Sequence, residues 1–357
     1  MNAQATLQAG DIEQVMGSLL TDIAATAGLQ MIHIGIKTGL WQAMAGAGSL
    51  TPAEVAARAD VAEPYAREWL NHQAASGYVD YDAATRTFEL PPAVAAVLGD
   101  EAQARLVEGF ASMLASMTVD NALVEEAFRS GMGVGWHQRS SAHWHGMDLA
   151  TRAAVVPALV SAWIPALGEV EGRLRAGAKV ADVGCGYGAL LLALAEVYPE
   201  SRFYGFDYHD ASVAQARRSA AAADVADTVT FEVADATAIP GDGYDLILFV
   251  DSFHDLGDPV EALRRARQAL SSDGRILLVE FAAGDTLEDN FNPLGRLLYA
   301  SSALVCTPNA LAQGATDPLG SAPGAARLTQ VAHDAGFTRV RRVDVDAPMN
   351  LLLELRP

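Results

Sequence analysis

Three glycines at alternating positions follow a short apolar run in the middle of the chain. Residues 180–183 form that run with one acid, Asp182, and Gly184, Gly186 and Gly188 come directly after it. Glycine has no Cβ, so the backbone at such positions can turn sharply and let a ligand come close. The spacing G-x-G-x-G differs from the dinucleotide fingerprint G-x-G-x-x-G, and no G-K-[ST] follows, which argues against a phosphate-binding loop.

Acids also stand at the ends of the apolar segments that follow this loop. Residues 203–206 end in Asp207, residues 229–233 lead to Asp235 and Ala236, and residues 244–250, which include Phe249, lead to His254. A strand, a glycine-rich turn and a helix form the ligand-binding corner of an open α/β sheet. An acid at the tip of the second strand is placed to accept hydrogen bonds from ribose hydroxyls.

These four segments, followed by a fifth apolar segment over residues 275–280, resemble in their order the motif series of class I S-adenosylmethionine-dependent methyltransferases, over residues 160–357. The resemblance implies an α/β fold with a seven-stranded Rossmann-like sheet, S-adenosylmethionine as cofactor and S-adenosylhomocysteine as its product. It also implies roles for residues of the site. Gly184 and Gly186 are expected to approach the methionine moiety of the cofactor, and Asp182 to hold the ammonium group of that moiety. Asp207 is expected to hold the ribose, and Tyr208 to pack on the adenine. Asp235 is expected to accept from the adenine amino group beside the Ala236 amide, and the Phe249 backbone to face the amino acid end of the cofactor.

His254 is the candidate general base. The segment that contains it resembles the His-Asp-Trp segment of winged-helix O-methyltransferases, whose histidine deprotonates a hydroxyl group. Imidazole suits this step because its unperturbed pKa lies near neutrality. This chain has Leu256 where that family has tryptophan. The neighbouring Asp255 either orients His254 or caps the following helix.

The first third of the chain has the pattern of a winged-helix domain. Residues 1–16 are expected to be a loosely held lead-in, and residues 23–44 have helical apolar spacing. Thr51-Pro-Ala-Glu54 combines a capping box with a proline in the first turn of a helix. Further helices to Ala59 and over residues 63–76, and strands over residues 78–81 and 85–90, complete the pattern.

Two functions compete for this domain. A DNA-binding domain would insert residues 63–76 into the major groove. That helix has Arg67 as its only formal cation, and acids outnumber basic residues over positions 30–98, whereas DNA binding needs a clustered basic face. We therefore interpret the domain as a dimerisation and substrate-lid module. The predicted homodimer forms through residues 17–95, with Leu29, Met31, Ile32 and Trp41 on apolar faces.

Residues 99–175 are predicted to be helical, with a break over residues 131–140, and to roof the active site. His143-x-His145, together with His137, could be a metal site, but it lacks a carboxylate or cysteine and the helical i, i+4 spacing. We predict no metal here. Instead we expect Trp136, His137 and His145 to line the substrate pocket. A later helix around Tyr299 is expected to cover it.

Length, charge and cysteine content set further limits. The chain has 357 residues, which suits more than one domain, and we predict boundaries at 1–98, 99–175 and 176–357. The net charge of −20 argues against nucleic acid and anionic membranes as partners. No uninterrupted apolar run reaches the ~18 residues that a membrane span needs, and the N-terminus has no signal-peptide pattern. Only two cysteines are present, which indicates a cytoplasmic protein without a disulfide framework.

Together these patterns predict methyl transfer from S-adenosylmethionine to a small, hydrophobic or aromatic acceptor, at oxygen, with His254 as general base. Transfer to nitrogen or carbon stays open. A winged-helix transcription regulator that responds to S-adenosylmethionine is a second hypothesis, and a methyltransferase fold that has lost transfer is a third. Fold alone cannot separate them, because function depends on the site.

Overall fold

The computed structural model of the protein describes residues 9–357. The chain divides into two compact units, Met1–Ala111 and Ser112–Pro357, and the boundary falls within one long helix. Residues 99–175 are predicted to be a separate helical part, and residues 112–175 of this segment belong to the same unit as the sheet.

The first unit is helical with one small hairpin. Its elements are α1 Ala9–Lys37, α2 Leu40–Met44, α3 Pro52–Ala59, α4 Glu63–Ala75, β1 Asp80–Asp82, β2 Thr87–Glu89, α5 Pro92–Val94, which continues as a π-helical turn over Ala95–Gly99, and the first part of α6 Glu101–Val119, the helix that contains the boundary. The predicted capping box is confirmed: Thr51 Oγ1 accepts from the Glu54 amide at 3.4 Å, and the Thr51 amide donates to Glu54 Oε2 at 2.8 Å. Three helices and a hairpin give the winged-helix order that the sequence predicts.

The first helix begins earlier than predicted. Residues 9–16, expected to be a lead-in, are the first turns of α1, while residues 1–8 lie outside the described part of the chain. The helix predicted over residues 23–44 is interrupted after Lys37, where Gly39 has a φ of +71°. That left-handed conformation ends one helix and starts the next.

Two of the apolar residues predicted for the dimer interface are instead part of the hydrophobic core of the first unit. Trp41 and Ile32 are buried in the core of their own unit, where Trp41 meets Trp69 edge to face with ring centroids 4.6 Å apart. Both indole N–H groups donate to carbonyl groups of α1, those of Ile32 and Met31. These side chains therefore hold α1 onto the domain, and Leu29 is half-buried.

A different apolar surface of α1 is exposed. It consists of Ile12, Val15, Met16, Leu19, Leu20 and Ile23. Helical spacing of three and four places most of them on one side of the helix. By length and composition alone, the helices Gly10–Lys37 and Ser141–Leu167 are long and apolar enough to cross a membrane. The search for apolar runs in the sequence did not find them, because polar residues are scattered through both segments.

The second unit is a seven-stranded sheet with helices packed on it. Its helices are α7 Asn121–Ser130, α8 Ser141–Ala150, α9 Val156–Ala158, α10 Glu169–Ala176, α11 Ala189–Val197, α12 Asp210–Ala222, α13 Pro259–Ala269, α14 Pro293–Ser301, α15 Thr307–Ala312 and α16 Gly324–Asp334. Its strands are β3 Lys179–Val183, β4 Arg202–Asp207, β5 Val229–Val233, β6 Tyr244–Val250, β7 Leu270–Phe281, β8 Arg339–Arg342 and β9 Asn350–Arg356. The strand order is β5-β4-β3-β6-β7-β9-β8, and β9 runs antiparallel to both neighbours.

The sheet has apolar clusters on both faces, as expected of parallel strands covered by helices. Leu246, Ile247, Leu248 and Phe249 of β6 are all fully buried, and they alternate between the two clusters. The seven-stranded α/β fold predicted from the sequence is therefore confirmed.

The sheet brings the chemically interesting loops together. Strands β4, β3 and β6 are parallel neighbours, so their carboxyl ends meet at one edge of the sheet. Gly184 follows β3, Asp207 ends β4, and Asp251 follows β6. In open α/β sheets ligands bind outside this edge.

The break predicted over residues 131–140 lies between α7 and α8, which end and begin at Ser130 and Ser141. Residues 131–135 are irregular and Trp136–Gln138 form one 3₁₀ turn. Helix α8 begins at Ser141, so His143, Trp144 and His145 are helical. The helix expected around residues 294–305 is present as α14 and a π-helical turn, Ser302–Cys306, that leads into α15.

Candidate active site

A cleft of about 1070 Å³, open on one side, lies at the carboxyl edge of the strands. Its walls come from the glycine loop, the ends of β4 and β6, and helices α8 and α15. The lining includes Trp136, Trp144, Met147, Asp148, Thr151, Asp182, Gly184, Gly186, Asp207, Tyr208, Ala234, Ala236, Val250, Asp251, Ser252, Asp255, Asn309 and Gln313.

The glycine loop is tied to the end of β4. The Gly184 and Cys185 amides donate to the Phe206 carbonyl at 2.8 and 3.0 Å, and the Gly186 amide donates to Asp207 Oδ2 at 2.9 Å. Gly184 has a φ of +79°, and a Cβ there would lie 2.5 Å from Ser252 Cβ. Both the conformation and the contact therefore require glycine.

Acids dominate the cleft. Its lining includes five carboxylates, those of Asp148, Asp182, Asp207, Asp251 and Asp255, and it includes no Lys, Arg or His among the described residues. Such a cleft repels phosphate groups and attracts cations. The lining therefore agrees with the absence of a phosphate-binding motif.

Asp182, like Asp255, has one buried oxygen with no hydrogen-bond partner among residues 9–357. Asp182 is 2% exposed, and its oxygen without a partner is Oδ2. Burial, with a smaller effect of the Asp207 charge, raises the pKa of Asp182 to about 7. A buried carboxylate without a partner is unfavourable, so a cationic donor in the cleft would stabilise it.

Asp251 is unusual in its backbone as well as its charge. Its φ is +49°, which is rare for a residue other than glycine, and such conformations cluster at functional sites. Burial, and then the Glu280 charge, raises the pKa of Asp251 to about 7. Asn350 Nδ2 donates to its Oδ1 at 3.2 Å.

One wall of the cleft is built around the Trp136 amide. This N–H donates to Tyr208 Oη at 2.8 Å and to Asn309 Oδ1 at 3.0 Å, and Tyr208 Oη itself donates to Asn309 Oδ1. The Trp144 indole N–H donates to the Trp136 carbonyl at 3.1 Å. Segments that are far apart in sequence are thus joined beside the cleft, and two indole rings face it.

His254 lies behind the cleft, in contact with a buried carboxylate. Its Nδ1 is 2.5 Å from Glu280 Oε2, and its backbone amide donates to Glu280 Oε1 at 3.0 Å. The Nε2 atom lies 3.5 Å from Asp255 Oδ1. Burial lowers the pKa of His254, but Glu280 and Asp255 outweigh it and raise that pKa well above its ordinary value.

Cys306 completes this group. One ligand-type atom from each of His254, Asp255 and Cys306 lies within 4.8 Å of the others. Burial raises the pKa of the Cys306 thiol to about 11, so the thiol is neutral in the ordinary pH range. Three such groups could hold a metal ion, and the absence of a metal stays a prediction.

The structure brings seven of the predicted site residues to the cleft: Asp182, Gly184, Gly186, Asp207, Tyr208, Ala236 and Trp136. Others lie elsewhere. Asp235 is exposed, and its Oδ1 accepts from the Thr237 amide at 2.8 Å, while its neighbours Ala234 and Ala236 line the cleft. Phe249 points into the core because strand residues alternate between faces, and Val250 takes its place in the lining.

The remaining predicted residues are also outside the lining. His137 and His145 are exposed. Tyr299 is 38% exposed, and its Oη accepts from Asn290 Nδ2 at 3.2 Å. The buried histidine is His143, whose Nδ1 lies 3.0 Å from Ser116 Oγ, and burial lowers its pKa to about 4. The three histidines of this segment are therefore in different environments.

Sequence reasoning predicts that the helices of residues 99–175 roof the active site, but it does not name the residues of α8 and the following turn that line the cleft. Trp144, Met147, Asp148 and Thr151 line the cleft and are spaced i, i+3, i+4 and i+7, which is one face of a helix. That spacing is visible in the sequence. Asn309 and Gln313 of the α15 region have the same i, i+4 relation, but no nearby motif marks them.

Comparison with known families agrees with this architecture. Residues 174–336 match a family model described as "Methyltransferase domain". Residues 24–100 match a model described as "Rv2258c-like winged HTH domain". The predicted combination of a winged helix with a class I methyltransferase core is confirmed.

Curated relatives match part of the chain. It is 33% identical over 110 residues to 27-O-demethylrifamycin SV methyltransferase of Amycolatopsis mediterranei, which is 30% of this chain and 40% of that protein. It is also 33% identical over 114 residues to a phenazine O-methyltransferase of Lysobacter antibioticus, which is 31% of this chain and 33% of that protein. The chain thus spans well under half the length of these two relatives.

The similarity of folds extends over the whole chain. Human N-acetylserotonin methyltransferase, crystallised in complex with S-adenosylmethionine, aligns with a TM-score of 0.67 and 17% identity, covering 100% of this chain and 99% of that one. The mitomycin 7-O-methyltransferase structure aligns with a TM-score of 0.65 and 17% identity, covering 98% and 100%. At this identity the likeness shows the fold.

The raised pKa of Asp182 generates a prediction about stability. A carboxyl whose pKa rises from 3.8 to about 7 on folding binds more protons in the folded state, so the free energy of unfolding falls as the pH rises through that window. We expect Asp182→Asn to raise the unfolding temperature of the ligand-free protein by about 3–8 °C at pH 8. At pH 4 the difference should nearly vanish.

Thermal unfolding followed by calorimetry at the two pH values measures this difference. Asp227→Asn, a change at an exposed acid, is the control and should shift neither transition. An Asp182→Asn protein that is less stable than the wild type at pH 8 would contradict the assignment of Asp182 as an unpaired buried acid.

Proposed function

We propose that the chain is an enzyme that transfers the methyl group of S-adenosylmethionine to an oxygen atom of a small molecule. The observation that carries this proposal is a glycine loop at the strand ends, facing a cleft lined by acids and, among the described residues, by no basic side chain. The names of the curated relatives, which describe O-methyltransferases of secondary metabolites, support oxygen as the acceptor atom.

The cleft suits this cofactor in charge and in shape. The methyl group is carried on a positively charged sulfonium, which supplies the driving force for transfer. Asp182, with its unused Oδ2, would hold the ammonium group, and the backbone of Gly184 and Gly186 leaves room for the methionine moiety. Asp207 is held by two backbone amides and would accept from the ribose hydroxyls.

The adenine end of the cofactor is assigned by the same logic. Tyr208 and Ala236 line the cleft and would contact the ring. Asp235 would need to turn away from the Thr237 amide to accept from the adenine amino group. We keep Asp235 as a candidate, and the carbonyl and amide groups of the segment after Phe249 as candidates for the amino acid end.

His254 remains our candidate for the general base, acting through Asp255. The ring does not line the cleft, whereas Asp255 does, and its Oδ1 lies 3.5 Å from His254 Nε2. A proton from an acceptor hydroxyl would reach His254 through this carboxylate. Glu280 holds Nδ1 in its protonated form, so Nε2 is the atom that receives the proton.

An aromatic or hydrophobic acceptor agrees with the walls of the cleft. Trp136, Trp144 and Met147 supply flat and apolar surface. His137, His145 and Tyr299 would contact the acceptor only after a rearrangement. Methylation at nitrogen or carbon stays open, because the cleft does not by itself select the atom.

The cofactor site is tested by calorimetry. We expect the wild type, freed of carried-over ligand, to bind S-adenosylmethionine with a micromolar Kd. Asp207→Ala should weaken binding by about 100-fold or more, because the ribose loses a charged acceptor. Glu196→Ala, at an exposed acid on α11, should bind like the wild type. A wild type that does not bind would refute the proposal.

The proton pathway is tested with Glu280→Gln. Removing this charge lowers the pKa of His254, so the acid limb of the kcat/KM profile should move to lower pH while kcat falls by roughly 10–100-fold. His254→Ala should lose roughly 100–10,000-fold in kcat with cofactor affinity unchanged. Transfer to hydroxylated aromatic compounds is the readout, and His333→Ala is the control. Full activity of His254→Ala would exclude the role.

The first unit supports self-association better than DNA binding. In α4, Arg67 is paired with Glu63 at 3.2 Å and lies 3.9 Å from Glu68, so this helix has no free positive face. We infer that the exposed face of α1, from Ile12 to Ile23, packs against a second copy of the chain. A cytoplasmic location stays a prediction from the cysteine content.

Leu19→Glu tests the dimer. A charge in the middle of an apolar helix interface should weaken association by about 100-fold or more, so sedimentation velocity should show a dimer for the wild type and a monomer for the variant. Ser18→Glu, one position away on the same exposed helix, should stay dimeric. A monomeric wild type that pellets with lipid vesicles would instead favour a membrane role for α1.

A further inference from the structure

Three side chains with different ligand atoms meet at the wall of the cleft. One ligand-type atom from each of His254, Asp255 and Cys306 lies within 4.8 Å of the others. His254 and Asp255 are in the 3₁₀ turn Phe253–Asp255, and Cys306 ends the π-helical turn Ser302–Cys306. The tertiary fold, rather than one local turn, therefore brings a nitrogen, an oxygen and a sulfur atom together.

The ring of His254 is held in place by a fully buried carboxylate. Glu280 is 0% exposed, its Oε2 lies 2.5 Å from His254 Nδ1, and its Oε1 accepts from the His254 amide at 3.0 Å. A histidine that binds a metal usually donates its other ring N–H to a carboxylate or carbonyl group, which fixes the ring and makes the ligating nitrogen more basic. With Nδ1 directed at Glu280, Nε2 is the atom that can bind an ion.

Asp255 places an oxygen without a hydrogen-bond donor next to that nitrogen. Its Oδ1 lies 3.5 Å from His254 Nε2 and has no hydrogen-bond partner among residues 9–357. A buried acceptor without a donor is unfavourable, and coordination to a cation would remove this cost. The bond lengths of a tetrahedral zinc site place neighbouring ligand atoms about 3.3–3.6 Å apart. The distance between Nε2 and Oδ1 agrees with this spacing, and a small movement of the Cys306 side chain completes the set.

A cation can approach this group from the cleft. Asp255 is part of the lining, so one of the three ligands is shared between the group and the cleft. The cleft is lined by five carboxylates and, among the described residues, by no basic side chain, which raises the local concentration of cations. Ligand atoms within 4.8 Å of one another leave space for a single ion.

The charges of the group suit a divalent ion. The Asp255 carboxylate and a Cys306 thiolate would together neutralise its two positive charges, with His254 bound as the neutral ring. Arg139 is within electrostatic range of Asp255, but its guanidinium donates to the Leu304 carbonyl, so Asp255 Oδ1 stays available. Buried charges are tolerated when they are neutralised by their partners, and this complex meets that condition.

We propose that His254, Asp255 and Cys306 bind a zinc ion that inhibits the protein by occupying the proton pathway. A thiolate and an imidazole select zinc over magnesium and calcium, which prefer oxygen ligands. On binding, the thiol releases its proton to solvent. The site is independent of the proposed function, whereas inhibition rests on it. Methyl transfer from a sulfonium needs no metal, so an ion on His254 Nε2 blocks the candidate base and is not a cofactor.

Cobalt(II) is the probe for this site, because it takes the same ligands as zinc and absorbs light. A bond from cobalt to a thiolate gives a band in the near ultraviolet, and tetrahedral coordination gives bands in the visible range. The full-length protein, treated with a chelator and then freed of it, is titrated with cobalt chloride. We expect both sets of bands, and we expect zinc to displace cobalt with a Kd of about 1 μM or lower.

Three variants assign the ligands. Cys306→Ser should remove the near-ultraviolet band and weaken zinc binding by about 100-fold or more. Glu280→Gln keeps all three ligands but loses the charge that orients His254, so it should weaken zinc binding by about 10–100-fold. Cys185→Ser, at the other cysteine of the chain, should leave spectrum and affinity unchanged. If Cys306→Ser does not fold, loss of the visible bands in Asp255→Asn decides.

A wild type without a thiolate band at about 1 mM cobalt, or a band that persists in Cys306→Ser, would overturn the site. The inhibition is measured separately: zinc should stop methyl transfer by the wild type at the concentration at which it displaces cobalt. Zinc binding through these ligands with methyl transfer unchanged would refute the inhibitory role. A protein that binds zinc but does not bind S-adenosylhomocysteine would refute the methyltransferase function and leave the metal site supported.

Discussion

The carboxylate of Asp207 joins two loops that would otherwise be independent. Its oxygens accept from the Gly186 amide of the loop after β3 and from the His209 amide at the start of α12, each at 2.9 Å. A charged acceptor makes both hydrogen bonds stronger than those to a neutral group. The opening of the cleft depends on this contact, since it sets the distance between the glycine loop and the end of β4. The strands form the edge of the sheet, and the hydrogen bonds of Asp207 fix the positions of the two loops at that edge.

The charged groups at the surface of the cleft differ from those behind its wall. Asp182, Asp251 and Asp255 lie at the surface of the cleft, while the buried His254 lies behind its wall. A cation in the cleft would be attracted by the acids at its surface and would not contact His254 directly.

The fold could be predicted because its signals are local and repeated. The glycine loop, Asp207 and the apolar strands each follow from short patterns, and the seven-stranded sheet follows from the family resemblance. Details of the site depend on geometry that no pattern records. His254 and Asp255 are in one 3₁₀ turn, and only the packing of that turn decides which of them faces the cleft. Asn309 and Gln313 line the cleft, but no nearby sequence motif marks them.

The raised pKa values of Asp182 and Asp251, both about 7, link the cleft to the proton concentration of the solution. Near neutral pH each carboxyl is protonated in a substantial fraction of the molecules. A positively charged ligand favours the ionised form, so its binding must release protons into the buffer. The heat measured for binding would then include the heat of buffer ionisation, and it would differ between phosphate and Tris at the same pH. The cleft would act as a proton donor each time that it accepts a cation.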